Sequence, residues 1–221
     1  LACVKVADRT LMEKAAPRGC LPVDGIAAYD SAVKGLIFGA NSAVVQEGRV
    51  ATVQTLGGTG GLKIGADFLK KINPNAKVLI SDPSWENHRA LFSNAGFLVE
   101  TYTYYDAGKR GVNFDGMLAS LKAAVPGTIV VLHACCHNPT GYDITPAQWD
   151  QVVEAVRAGR LIAFLDMAYQ GFGHGIAEDG AVIGKFVDAG LNFFVSSSFS
   201  KSFSLYGERV GALSVVCSGK E

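Results

Sequence analysis

The sequence predicts an α/β fold, a doubly wound domain with a mostly parallel sheet flanked by helices, on three observations. Short apolar runs at 128–132, 161–165 and 191–196 have the length and the β-branched or aromatic content of buried strands. Stretches with helical spacing, such as 146–157, separate strand-like runs along the chain. Each of the three apolar runs leads into a segment carrying Asn, Asp or Lys, at the strand ends where parallel sheets collect their ligands.

The elements follow in order. Residues 50–55 read as a strand, and Gly57, Gly58, Gly60 and Gly61 lead into an amphipathic helix over about 62–72. A strand at 78–81, a helix at 85–94, a strand at 98–104 and a helix near 115–124 come next. The strand before His133, a helix over 146–157, two strands ending at Asp166 and Ser198 and a last strand at 210–216 complete the pattern. There is no internal repeat or low-complexity linker, so one domain spanning 1–221 accounts for the whole chain.

With 221 residues and 49% hydrophobic composition the chain can bury one large core. Lys plus Arg and Asp plus Glu both number 20, which gives no electrostatic case for a nucleic-acid partner. No apolar run reaches membrane-spanning length, and the region of Asp8, Arg9, Glu13 and Lys14 lacks the apolar block of a secretory signal. Five cysteines at irregular spacing predict reduced thiols and a cytoplasmic protein.

The chemistry begins at Ser198-Phe199-Ser200-Lys201, directly after a strand, with Arg209 eight residues on. An amine held there among apolar groups is partly desolvated, which lowers its pKa and frees a lone pair to condense with a carbonyl. Ser198, Ser200 and Arg209 add two hydroxyls and a cation able to bind in bidentate fashion, a set suited to phosphate. Lysine and phosphate together suggest pyridoxal 5′-phosphate. A solvated loop lysine is the competing reading of this segment taken alone.

Asp166 closes the apolar run 161–165, and a carboxylate at a buried strand end needs a partner. A pyridinium nitrogen is one such partner, and Tyr169 three residues on can present its phenol to the 3-oxygen of the same ring. The alternative is that Asp166 caps a following helix or turn. In His133-Ala134-Cys135-Cys136-His137-Asn138-Pro139-Thr140-Gly141, Asn138 in a strong turn signal can donate its amide to that 3-oxygen. Two histidines and two cysteines also raise a metal site. Adjacent cysteines on an extended strand should point to opposite faces, which favours core packing and no metal.

The loop Gly57-Gly58-Thr59-Gly60-Gly61 allows a phosphate to approach backbone N–H groups at a helix start. The dinucleotide fingerprint fails, since Lys63 stands where its third glycine belongs, and there is no Walker lysine pattern. Trp85 and His88, three apart after Pro83, can share one helix face. For Trp85 a core anchor is the default, and His174 between two glycines reads as an exposed loop residue.

Asn138-Pro139-Thr140-Gly141, Asp166-Met167-Ala168-Tyr169 and Ser198-Phe199-Ser200-Lys201, with Asp82 to His88 and Leu56 to Gly61, stand in the order and approximate spacing of the aspartate/aromatic aminotransferases, fold type I pyridoxal phosphate enzymes. The chain resembles that family over nearly its whole length. Gln54 to Gly58, Cys135 to Asn138 and Phe203 to Arg209 look most like the bacterial aromatic-amino-acid (tyrosine) branch. The resemblance implies the family's large cofactor-binding domain, with a mostly parallel seven-stranded sheet. It implies transfer of an amino group from an aromatic amino acid, aspartate or glutamate to a 2-oxo acid such as 2-oxoglutarate, by a homodimer. By the same resemblance Lys201, Asp166 and Tyr169 are catalytic. Gly58, Thr59, Trp85, Asn138, Ser198 and Arg209 bind the cofactor, Trp85 and Asn138 also face substrate, and His88 and His133 support Asp166 from behind.

Two departures qualify it. Cys20, in the segment Arg18 to Gly25, stands where the family usually has a tyrosine that reaches the cofactor phosphate of the partner subunit, so that contact should be lost. The chain also stops at Glu221, before the family's small domain and its carboxylate-gripping arginine, and lacks the usual N-terminal arm, as a fragment would. An aspartate-specific aminotransferase, a lyase or decarboxylase of the same fold, and an inactive cofactor-binding fragment are the other readings.

Overall fold

The computed structural model describes residues 1–17 and 19–219. Arg18, which heads the segment containing Cys20, lies outside the described residues, as do Lys220 and Glu221. Three helices, α1 (Ala2–Lys14), α2 (Ala27–Phe38) and α3 (Ala43–Gln46), precede strand β1 (Val50–Leu56) and helix α4 (Gly57–Ile72). Then follow β2 (Lys77–Asp82), α5 (Glu86–Asn94), β3 (Leu98–Thr103), a small hairpin of β4 (Tyr105–Asp106) and β5 (Gly111–Val112), and α6 (Phe114–Ala123). The chain continues through β6 (Ile129–His133), α7 (Pro146–Gly159), β7 (Ile162–Met167), α8 (Ile176–Asp188), β8 (Phe193–Ser198) and β9 (Val210–Val216).

Seven strands form the main sheet in the order β1-β9-β8-β7-β6-β2-β3. Only β9 runs antiparallel to its neighbours, so the C-terminal ends of β1, β2, β6, β7 and β8 and the start of β9 share one edge. Alternation along each central strand feeds two cores. Val130, Leu132, Ala163, Leu165, Phe193 and Val195 pack under α2, α6, α7 and α8, while Ile129, Val131, Phe164 and Phe194 pack under α4 and α5. Strands apolar on both faces are what a sheet covered by helices on both sides requires.

The main revision concerns the glycines. Gly57 to Gly61 are the first turn of α4 rather than a loop before it. The helix end lies against β8 and β9: a Cβ on Gly61 would meet Ser196 Oγ at 2.6 Å and the Ala212 carbonyl oxygen at 3.1 Å. Helices α1, α2, α3 and α8 were not expected. In α8, Gly180 and Gly184 dilute the helical signal, yet Val182, Ile183 and Phe186 are buried and tertiary packing outweighs propensity. α1 buries no residue at all.

Candidate active site

At the shared edge, a cleft with about 530 Å³ of open space is lined by Gly58, Thr59, Trp85, Asn138, Asp166, Tyr169, Ser198, Lys201 and Arg209. These are all nine of the residues expected to hold the cofactor, and His133 and Tyr206 complete much of the remaining wall.

The floor is a polar pair set in a buried strand end. Asp166, 5% exposed, accepts a hydrogen bond through Oδ2 from Nε2 of the fully buried His88 at 2.7 Å. Nδ1 of the same ring meets Ser84 Oγ at 2.9 Å, so both ring nitrogens are used and the imidazole cannot turn. Asp166 caps no helix: β7 continues through Met167 and the chain then turns. Among the described residues Oδ1 of Asp166 takes no hydrogen bond, so this carboxylate offers the cleft a free oxygen.

A row of rings backs the pair. Trp85, which caps the start of α5, stands edge-on to His88 with centroids 5.5 Å apart. His88 and His133 are 4.8 Å apart, His133 and His137 4.3 Å, and Tyr104 stacks on His137 at 3.9 Å. His137 is bonded at both nitrogens, to Thr140 Oγ1 at 2.8 Å and Ser81 Oγ at 2.9 Å. Burial, with help from His88, lowers its pKa from 6.5 to about 4. Burial also holds His133 well below the usual histidine range, with His88 and His137 acting in the same direction. Neither ring nitrogen of His133 has a hydrogen-bond partner among the described residues. Asn138 follows His137 in a turn that Asp143 clamps from below by accepting the backbone N–H groups of Cys136 and His137, at 2.7 and 2.8 Å.

Lys201 projects from the turn after β8, with Nζ 4.7 Å from the centre of the Tyr169 ring and 5.4 Å from that of Tyr206. It is half-buried, and the apolar groups around it are the faces of these two phenol rings. No carboxylate lies within ion-pair distance of it among the described residues.

Opposite Asp166 lies a concentration of donors. The first turn of α4 brings Gly58 and Thr59 to the cleft wall with Ser198, Ser200 and Arg209; the Gly57 N–H donates to the Arg209 carbonyl at 2.9 Å, and the N–H groups that follow have no partner within the helix. Arg209 is held by its Nη1, which donates to the Tyr206 carbonyl at 2.7 Å and approaches Ser200 Oγ at 3.5 Å. Gly57, at φ +69°, leaves the space this guanidinium needs, since a Cβ there would meet Nη2 at 2.6 Å.

The structure thus brings the expected residues together, places His88 behind Asp166 as expected, and leaves His174 exposed. Cys20 is exposed. Sequence reasoning missed Tyr206 as a wall of the cleft and the His137 to Ser81 contact, which joins residues 56 apart with no periodic signal. It also misjudged the cysteines: β6 ends at His133, Cys136 has φ 50°, and the two thiols come to one side instead of opposite faces.

Residues 2–220 match the family described as aminotransferase class I and II. The chain belongs to that family. It is 58% identical to an aspartate aminotransferase of Pseudomonas aeruginosa over 221 residues, all of this chain and 56% of that protein. It is 53% identical to the aromatic-amino-acid aminotransferase of Escherichia coli, over 98% of this chain and 55% of that protein. The crystal structure of an aromatic-amino-acid aminotransferase from Burkholderia pseudomallei covalently bound to pyridoxal phosphate superposes with a TM-score of 0.97 at 64% identity, covering 98% of this chain and 54% of that one. The fold is therefore that of the type I aminotransferases. The chain spans about half the length of the relatives it matches.

Proposed function

We propose that this chain is the cofactor-binding large domain, residues 1–221, of a pyridoxal phosphate-dependent aminotransferase that moves an amino group from an aromatic amino acid, aspartate or glutamate to a 2-oxo acid such as 2-oxoglutarate. The observation that carries the reading is the single cleft holding a lysine in a turn, a buried carboxylate with a free oxygen and, opposite it, a helix N-terminus joined by two serines and an arginine. The cleft's donor set fits the group: an acid for the pyridinium, phenol and amide for the 3-oxygen, and glycine-bared N–H groups for the phosphate. When bound, pyridoxal phosphate supplies an electron sink for the bonding electrons at the substrate Cα.

Lys201 would attach the cofactor covalently and, once released by substrate, its Nζ would take the proton from Cα. Asp166 would keep the ring nitrogen protonated, with His88 holding the carboxylate in place and His133 backing it. Asn138 and Tyr169 would bond the 3-oxygen, Trp85 would cover one ring face and, with Asn138, border the substrate. Gly58, Thr59, Ser198 and Arg209 would bind the phosphate.

A homodimer and a cytoplasmic location belong to the same reading. The dimer is supported by a wide apolar hollow formed by Tyr29, Val33, Leu36, Phe199, Phe203 and Leu205, beside the turn that carries Lys201. The location is supported by five free cysteines, and no described helix is long and apolar enough to cross a membrane.

The aromatic motif details and the aromatic structural relative support dual use, which is physically easy because apolar burial separates related side chains by only ~1 to 3 kcal/mol. With 2-oxoglutarate as acceptor, phenylalanine should yield phenylpyruvate and glutamate in equal amounts. Absence of transfer from both phenylalanine and aspartate would overturn the function. A preference for aspartate beyond roughly a thousandfold in kcat/KM, ~4 kcal/mol, would overturn only the aromatic assignment.

A further inference from the structure

On the far side of the Asn138 loop, Cys135 and Cys136 form a pair that the proposed reaction does not use. The Sγ atoms and a carboxylate oxygen of Asp179 all lie within 4.8 Å of one another. The positive φ of Cys136, stabilised by the Asp143 clamp, turns both sulfurs to the same side. Cys135 Sγ is 3.6 Å from Met167 Sδ, and Cys136 Sγ is 4.0 Å from the Tyr169 carbonyl. A hollow open to solvent and lined by Cys135, Asp143, His174, Asp179 and Lys185 among others reaches the Cys135 side of the pair, and Cys136 is itself only partly buried.

A metal site using all three groups is disfavoured by the hydrogen bonds already present. Asp179 accepts from the backbone N–H groups of Gly171, Gly173 and His174 at 2.8 to 2.9 Å, so its lone pairs are largely committed. Burial raises both thiols, and Asp143 and Asp179 add to it, so they remain protonated at neutral pH. A divalent metal would have to expel both protons. A centre that condenses with neutral thiols instead carries each proton away on its own departing hydroxide and needs no thiolate released beforehand.

We propose that Cys135 and Cys136 form a chelating site for a trivalent thiophilic centre of the arylarsenous acid type, behind the walls that carry Asn138 and Tyr169. Two As–O bonds break and two As–S bonds form. Each thiol proton leaves with a hydroxide as water, and arsenic keeps its oxidation state. Soft sulfur donors suit such a centre.

Phenylarsine oxide, hydrated to phenylarsonous acid, is the probe. One equivalent added to the reduced protein should give a single adduct by intact mass, the protein plus the acid less two waters, removed by ethane-1,2-dithiol but not by the same concentration of a monothiol. A variant with Cys3, Cys20 and Cys217 all changed to Ser should keep the adduct, and Cys136→Ser should bind at least a hundredfold more weakly with an unchanged circular dichroism spectrum. If Cys136→Ser misfolds, peptide mapping of the adduct in the triple variant replaces it. No adduct on the native protein, loss in the triple variant, full retention in folded Cys136→Ser, or mapping to a peptide without Cys135 and Cys136 would each overturn the proposal.

Discussion

His88 Nε2 lies 2.7 Å from Asp166 Oδ2, with the imidazole fully buried and the carboxylate 5% exposed. The pair joins α5 to β7 across 78 residues of sequence and fixes which oxygen Asp166 turns to the cleft. A neutral ring that donates from Nε2 can accept at Nδ1 from the Ser84 hydroxyl, so each polar atom of this buried group has a partner.

The two residues should therefore fail differently. Asp166→Asn keeps the shape and removes the charge, so the protein should fold normally while turnover falls by several orders of magnitude, ~4 kcal/mol or more in barrier. His88→Phe removes the donor to a buried carboxylate and should cost about 1.5–3 kcal/mol of unfolding free energy in urea titrations. Near-normal turnover of Asp166→Asn would make this carboxylate structural only.

Stability should fall as pH drops from about 6.5 toward 4. His137 is held at about 4 in the folded protein against 6.5 unfolded, so within that window the unfolded chain binds a proton that the folded one refuses. The folded state loses up to ~1.4 kcal/mol per pH unit for this group, with nothing lost above the window. His133, shifted in the same direction, should steepen the fall. Urea unfolding at pH 7 and pH 5 measures it, and His137→Gln should flatten the slope.

Gly211 is a sharper test of why the α4 start is glycine-rich. A Cβ at this position would stand 2.3 Å from the Gly57 carbonyl carbon and 2.7 Å from the Gly58 nitrogen. Gly211→Ala should cost ~1–3 kcal/mol by overpacking and weaken phosphate binding by displacing the helix start. Gly207→Ala, with nothing within 4 Å of its Cβ, should stay within ~0.5 kcal/mol of the native protein.

What the sequence revealed follows from range. β6, β7 and β8 were legible because a strand buried on both faces is a continuous apolar run, and Asn138, Asp166 and Lys201 were legible because each follows such a run within six residues. The start of α4 was misread because glycine's preference for loops is local, whereas the contact that demands glycine, Ser196 against Gly61, is 135 residues away. The ring row from Trp85 through His137 to Tyr104 is equally non-local. The thiol pair was misplaced because the positive φ of Cys136 depends on Asp143, seven residues on.

The central claim is that Lys201 carries pyridoxal phosphate. Borohydride reduction of the protein loaded with the cofactor, followed by peptide mapping, tests it most directly. The account predicts a pyridoxyl group on Lys201, and its absence in a folded Lys201→Ala variant. A pyridoxyl group on Lys63 or Lys185 instead, or an active protein with none, would contradict it.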